Sequence, residues 1–255
     1  MKVRVLGCSG GLGGAPNRTT SFLVDHDILI DAGTGVGDLS LEELQSIRYV
    51  FLTHSHLDHI AALPIMIDTV GRRQDGPITV IALPETLEAL KTHIFNWTIW
   101  PDFTQIPSAE SPFMRYEPIR LGERMELDGR IITPLPANHV VPAVGYSVEG
   151  GEGAWAFSGD TTRCPELWAR LNQIDKLKAV VVETAFPDEE DHIARASKHY
   201  SPAMLAEDLA LLQGKPQLFI THLKPGFAVR TMTQVERVAK IHNPRILEAG
   251  QVFDL

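Results

Sequence analysis

The sequence predicts a single α/β domain spanning residues 1–255, and three observations carry that prediction. Short apolar runs alternate with segments of helical periodicity along the whole chain. Glycine-rich turns punctuate them, and neither a low-complexity linker nor an internal repeat divides the chain. Composition is that of an ordinary globular protein, with 44% apolar and 22% charged residues.

Taken in order, Lys2–Gly7 alternates polar and apolar residues and reads as a strand. Residues 20–31 read as a hairpin turning at Asp25-His26-Asp27. Residues 49–53 (YVFLT) are almost wholly apolar, as a strand covered on both faces requires. Further strands are expected at 78–83, 130–134, 143–148, 154–158, 179–183, 218–221 and 245–248. Helical spacing marks 57–70, 85–95, 165–171, 202–212 and 232–241. Ser201-Pro202 is a helix start, since Ser can cap and Pro suits the first turn. Residues 96–118 are rich in Trp, Phe and Pro without a clear period, so they read as a lid, a binding loop, an oligomer contact or a loop packed down by its aromatics.

Charge and composition exclude several function classes. A net charge of −9 argues against broad nucleic-acid binding. No apolar run approaches the ~18 residues of a membrane span, and the N-terminal MKVRVLGCSGG is too short in apolar residues for a secretory core. Cys8 and Cys164 are expected to be reduced, inert thiols in a cytoplasmic protein.

Chemistry concentrates in Thr53-His54-Ser55-His56-Leu57-Asp58-His59, directly after the expected strand. In extended chain, residues i and i+2 point the same way, so His54 and His56 can converge on one ion. Asp58 and His59 can turn toward a second as the helix begins. Imidazole and carboxylate together suit zinc, with manganese or iron as alternatives. His139, Asp160 and His222 each follow an expected strand and supply the missing ligands. Two glycine-rich stretches are decoys: Gly33-x-Gly35 lacks the third glycine of a dinucleotide fingerprint, and residues 9–14 lack the Gly-Lys-Ser/Thr of a P-loop. Both read as tight turns with glycines at positive φ. Backbone amides in such loops, at Ser9 for example, could help hold a phosphate beside a metal centre.

With these residues in place the chain resembles the metallo-β-lactamase superfamily over essentially its whole length. The resemblance implies an αββα sandwich with two divalent metal ions at one edge. By it, His54, His56 and His139 would hold one ion, Asp58, His59 and His222 the other, and Asp160 would bridge them. Asp31 would orient ligands. Two such ions about 3.5–4 Å apart make hydroxide available near neutral pH and stabilise charge on a substrate oxygen.

The opening VLGCSGG with Asn17-Arg-Thr-Thr-Ser21 is similar to the tRNase Z-like branch, and His56-Leu-Asp-His-Ile60 to the class II cyclic-nucleotide phosphodiesterase signature, from which the chain departs at Ala61-Ala62-Leu63-Pro64. Glu183 and His199 resemble the branch's Glu…His pair, which implies His199 as proton donor to the leaving oxygen, oriented by Glu183, with Asp58 also in the catalytic set. A positioned acid contributes on the order of 10²–10⁴ in rate for a poor leaving group such as a ribose alkoxide. The expectation is therefore hydrolysis of 3′,5′-cyclic nucleotides to 5′-monophosphates by a cytoplasmic homodimer with no stable nucleic-acid partner. Alternatives are a tRNA 3′-end nuclease, a 1,2-cyclic phosphodiesterase or a non-catalytic metal- or nucleotide-binding regulator. Substrate contacts are expected at Ser9, Thr161, Phe186 and Lys224, with Arg18 a further phosphate candidate and Trp97, Trp100, Phe103 and Phe227 further stacking candidates. His26, His93, His192 and His242 are read as structural or exposed.

Overall fold

The structure, a computed structural model, describes residues 1–15, 17–73 and 75–255. In the first sheet β1 (Lys2–Gly7), β2 (Ser21–Val24), β3 (Ile28–Ile30), β4 (Tyr49–Phe51), β5 (Ile78–Ala82) and β6 (Met114–Pro118) lie side by side in chain order. The second takes β7 (Met125–Leu127), β8 (Arg130–Pro136), β9 (Val144–Glu149), β10 (Ala154–Phe157), β11 (Leu177–Glu183), β12 (Gln217–Thr221) and β13 (Arg245–Ile246), again in order. The last strand, β14 (Val252–Asp254), returns to pair antiparallel with β1. Among the described residues each sheet has seven strands, and both are mixed. Strands β3 to β6 and β10 to β13 run parallel, so their C-terminal ends open onto loops.

Helices cover both outer faces. Alongside the first sheet lie α1 (Leu41–Ser46), α2 (Leu57–Ile60), α3 (Leu63–Val70) and α4 (Pro84–His93). Against the second lie α5 (Pro165–Leu171), α6 (Asp191–Ser197), α7 (Pro202–Leu209) and α8 (Ala228–Val238). The αββα layering follows from alternation within the strands. In β3, Ile28 and Ile30 enter the core between the sheets while Leu29 packs under the helices. In β11, Ala179 and Val181 face inward while Val180 and Val182 meet α5, α7 and α8. Side chains of period two, buried on both faces, leave a strand no other place than the middle of a four-layer stack. Phe22 locks the sheets together, its ring centroid 5.1 Å from Trp155 and 4.9 Å from Phe157. No helix among the described residues is long and apolar enough to cross a membrane.

Several expectations need correction. The helix expected over 57–70 breaks at Ala61-Ala62, because the Ala62 amide donates to Ala32 O (2.9 Å) and Pro64 has no N–H to continue the ladder. The 96–118 stretch ends in β6, and Phe103 is buried against Phe95 and Phe113 under the helical layer, so its aromatics pack it down. Trp97 and Ile99 nevertheless stay 64% and 63% exposed. Ser201 precedes α7 but its hydroxyl donates to Asp191 rather than capping the helix. The helix expected at 232–241 begins at Ala228 and ends at Val238.

Candidate metal centre

All the chemistry-bearing loops leave C-terminal strand ends. Asp31 follows β3, the Thr53–His59 segment follows β4, His139 follows β8, Asp160 follows β10, Glu183 ends β11 and His222 follows β12. The sheets are tied together beside this edge: Tyr146 Oη donates to Leu52 O (3.0 Å), and Val144 N donates to Thr53 O (3.0 Å).

Two groups of side chains gather there, each with its ligand atoms within 4.8 Å of one another: His54, His56, His139 and Asp160, and Asp58, His59, Asp160 and His222. Asp160 belongs to both. Its Oδ2 lies 3.7 Å from His54 Nε2 and 3.3 Å from His59 Nε2, while Oδ1 lies 3.3 Å from His222 Nδ1. Asp58 Oδ2 is 3.7 Å from His222 Nε2, and His139 Nε2 is 3.2 Å from His56 Nδ1. Ligand atoms about 2.0–2.1 Å from a tetrahedral ion stand roughly 3.4 Å apart, which is the spacing found.

The imidazoles are aimed by their other nitrogens. Asp31 accepts from His59 Nδ1 (2.7 Å), from Thr53 N (2.8 Å) and from the Thr53 hydroxyl. With its proton on Asp31, that hydroxyl accepts from His54 Nδ1 at 3.0 Å. His139 Nδ1 donates to Lys198 O (3.1 Å), and Lys198 Nζ donates back to His139 O (3.1 Å). Each of these rings thus turns Nε2 inward, where the anchoring bond fixes the tautomer. Asp31 and His222 both adopt positive φ, at 58° and 60°, which for such residues is strain held by the surrounding fold.

A metal fits these residues on two counts. Buried atoms of His54 (Nε2), His59 (Nε2), Asp160 (Oδ1) and His222 (Nδ1) have no hydrogen-bond partner, and an unmade buried polar contact costs about 1–3 kcal/mol. Protonation also suits ligation. Burial holds the imidazoles of His54 and His222 well below their ordinary range and that of His139 down to about 4. Burial would raise Asp160, but the imidazoles of His222, His59 and His54 hold it well below the usual carboxylate range. His59 is the exception: burial opposes its charged form, yet Asp160 and Asp31 raise it well above the usual value, so an ion must displace its proton to bind there. One ion would be held by His54, His56, His139 and Asp160, and the other by Asp58, His59, Asp160 and His222.

Next to these groups, His199 Nδ1 bonds Glu183 Oε1 at 2.7 Å, with both side chains buried. The His199 ring lies 5.0 Å from that of His139 and stacks at 5.1 Å on His222. Glu183 also accepts from Thr161 N (3.0 Å) and Tyr200 N (3.4 Å). Burial raises the Glu183 carboxyl; burial opposes a charged His199, but Glu183's charge and hydrogen bond raise it on balance.

The expected substrate contacts divide. Phe186 is half-buried with its ring 5.9 Å from His199, and Lys224 Nζ lies 5.8 Å from the Phe186 centroid while donating to Gly10 O (2.7 Å). Thr161 is fully buried; its hydroxyl donates to Thr162 O and accepts from Asn138 N, so it braces a loop and does not face a ligand. Ser9 Oγ donates to Gly11 O, and the amides of Ser9, Gly10, Ala32 and Gly33 all donate to protein carbonyls, so these four amides are not free to cradle an anion. Gly33 keeps a negative φ; it is glycine because a Cβ there would lie 2.4 Å from Asp58 O. Arg18 is engaged by both Asp38 oxygens at 2.8 Å. Trp97 is exposed, Trp100 and Phe227 are half-buried and Phe103 is core. His26, His93 and His192 are exposed and His242 is half-buried. Sequence reasoning overlooked Thr53 and the Lys198 carbonyl, whose roles depend on partners far along the chain; Lys198 has a signal only in its position before His199.

Fold and site together define the class of αββα sandwich proteins whose strand ends gather two overlapping groups of His and Asp side chains that could hold metal ions. Within that class the chain belongs to the β-lactamase superfamily: residues 26–241 match the family described as "Beta-lactamase superfamily domain". Among curated relatives it is 27% identical over 208 residues to a probable 3′,5′-cyclic-nucleotide phosphodiesterase of Yersinia pestis, covering 72% of this chain and 59% of that protein. It is 31% identical over 158 residues to ribonuclease Z of Metallosphaera sedula, covering 58% and 48%. The chain therefore spans about half the length of these relatives. Among solved structures, unliganded yeast PDE1 superposes with a TM-score of 0.80 at 19% identity, covering 100% of this chain and 99% of the other.

Proposed function

We propose that the chain is a cytoplasmic, dinuclear metal-dependent phosphodiesterase that opens 3′,5′-cyclic nucleotides, cAMP or cGMP, to 5′-monophosphates. The observation that carries this reading is the buried His199–Glu183 pair at 2.7 Å, set beside the two ligand groups. When bound, two divalent ions, zinc in the first instance, lower the pKa of water and neutralise charge on phosphoryl oxygens. The chain's own residues supply the remainder. Because Nδ1 is held by Glu183, the Nε2 of His199 is the atom that hands a proton to the departing ribose oxygen. Phe186 offers a face for the base, and Lys224, beside it, offers positive charge for the phosphate. The likeness to the Yersinia pestis relative supports the same substrate class.

Incubation of metal-loaded protein with cAMP and cGMP, with products resolved by chromatography, tests the proposal. We expect nucleoside 5′-monophosphate; no monophosphate from either nucleotide overturns it. A second reading, 3′-end processing of tRNA, is favoured by the likeness to ribonuclease Z; efficient trimming of precursor tRNA would replace the first. The net charge of −9 weighs against a gripping surface for a long polyanion. The proposal includes a homodimer, which sedimentation equilibrium tests.

A further inference from the structure

Asp208 lies on α7, away from both ligand groups, and is 0% exposed. A carboxylate taken out of water costs several kcal/mol unless its charge is matched. Its cationic partner, Arg163 Nε at 3.1 Å, belongs to a side chain that is itself 48% exposed and also paired to Glu207. The stronger attachments of Asp208 are to the two loops that carry the chemistry. Oδ2 accepts from Tyr200 Oη at 2.7 Å and from the Cys164 amide at 2.9 Å.

Each attachment leads to the site. Tyr200 follows His199 directly, is fully buried, accepts from Trp168 Nε1 (3.2 Å) and sends its own amide to Glu183 Oε2. On the other side, Cys164 ends the segment that begins at Asp160. Within it Thr161 N donates to Glu183 Oε1, Thr162 N donates to Asn138 O, and Arg163 O accepts from Asn138 Nδ2, next to His139. One buried carboxylate thus joins the loop bearing His199 to the loop bearing Asp160. The chain enters the first through Lys198, a non-glycine residue at φ 53°. Glu183 holds the His199 ring itself, and the residue after it on this tight bend is held twice, at its amide by Glu183 and at its hydroxyl by Asp208.

We propose that Asp208 is a positioning residue: through Tyr200 and the Cys164 amide it sets the place of the His199 imidazole relative to Asp160, without touching substrate. The inference rests on the acid role assigned to His199. Its consequence is that Asp208→Ala, which accepts from neither Tyr200 nor the Cys164 amide, mimics loss of the acid. Turnover of cAMP should fall about 10-fold or more, while turnover of an aryl phosphodiester, whose leaving group hardly needs a proton, should fall less than about 3-fold. Metal content should stay at the wild-type value. Added to His199→Ala, the substitution should change cAMP turnover by less than about 2-fold, because the two act in one step. Tyr200→Phe, which removes one hydroxyl and keeps the ring, should show the same leaving-group split and carries the test where Asp208→Ala does not fold. Independently of activity, hydrogen exchange in peptides covering 160–168 and 196–202 should rise about 10-fold in Asp208→Ala, with β11 unchanged.

His199→Ala distinguishes the two ideas. If it lacks the leaving-group split, the acid role falls and this inference with it. If it shows the split while Asp208→Ala and Tyr200→Phe lose both substrates equally, or add fully to His199→Ala, the positioning role alone is overturned.

Discussion

Asp160 stands at the one position where both ligand groups overlap, and a single side chain there has no substitute. Asp160→Ala is expected to lose both ions, as read by elemental analysis of dialysed protein; two ions retained per chain would contradict the shared role. Cys8, half-buried, illustrates the opposite case, a thiol whose reactive form its surroundings disfavour. Burial, with the charge of Glu248 as a lesser cause, pushes its thiol up to about 12, and its Sγ lies 3.3 Å from Leu247 O. Because thiolate is the reactive form, Cys8 presents on the order of 10³-fold less of it at pH 8 than an ordinary thiol. Alkylation by iodoacetamide at pH 8 should therefore be at least ~10-fold slower in native protein than in urea; equal rates would show an exposed thiol.

At the scale of elements, what could be read in advance depended on whether the signal was local. The histidine-rich segment after β4 is contiguous, and His139, Asp160 and His222 each announce themselves as polar residues after an apolar run. Their convergence is not local: it depends on parallel strands ending at one edge. Polar α6 has no periodic apolar face to detect, with Ala194 its buried residue. By contrast α1 carried a readable signal, the Ser40-x-x-Glu43 capping box, whose two reciprocal bonds are both formed. β6 does alternate, Met114 and Tyr116 being more buried than Arg115, but the run is short, ends in Pro118 and closes a Trp-, Phe- and Pro-rich stretch without a period; it forms the sheet edge beside β5. The junction of β3 with α2 depends on close approach. Gly33→Ala would place a methyl 2.4 Å from Asp58 O, which overpacking puts at about 1–3 kcal/mol. It should lower both the melting temperature and metal retention; an unchanged metal content would place Asp58 outside the ligand set.

For the whole molecule, the two sheets share an apolar interior built on Phe22, Phe51, Tyr146, Trp155 and Phe157, and either sheet alone would leave one face of these strands in water. Folding of one half thus presupposes the other. The ligands are divided the same way: His54, His56, Asp58 and His59 come from the first half of the chain, and His139, Asp160 and His222 from the second. Cations seated among them act as rivets between two plates, so occupancy at the rim should be felt as far off as the strand pairing at β14. Stripping them with a chelator should lower the midpoint of thermal unfolding as one cooperative transition, and graded return of zinc should raise it with concentration, the stability regained being about 2.7 kcal/mol per site at a hundredfold excess over the dissociation constant. A midpoint indifferent to zinc would mean that the rim carries no load between the plates.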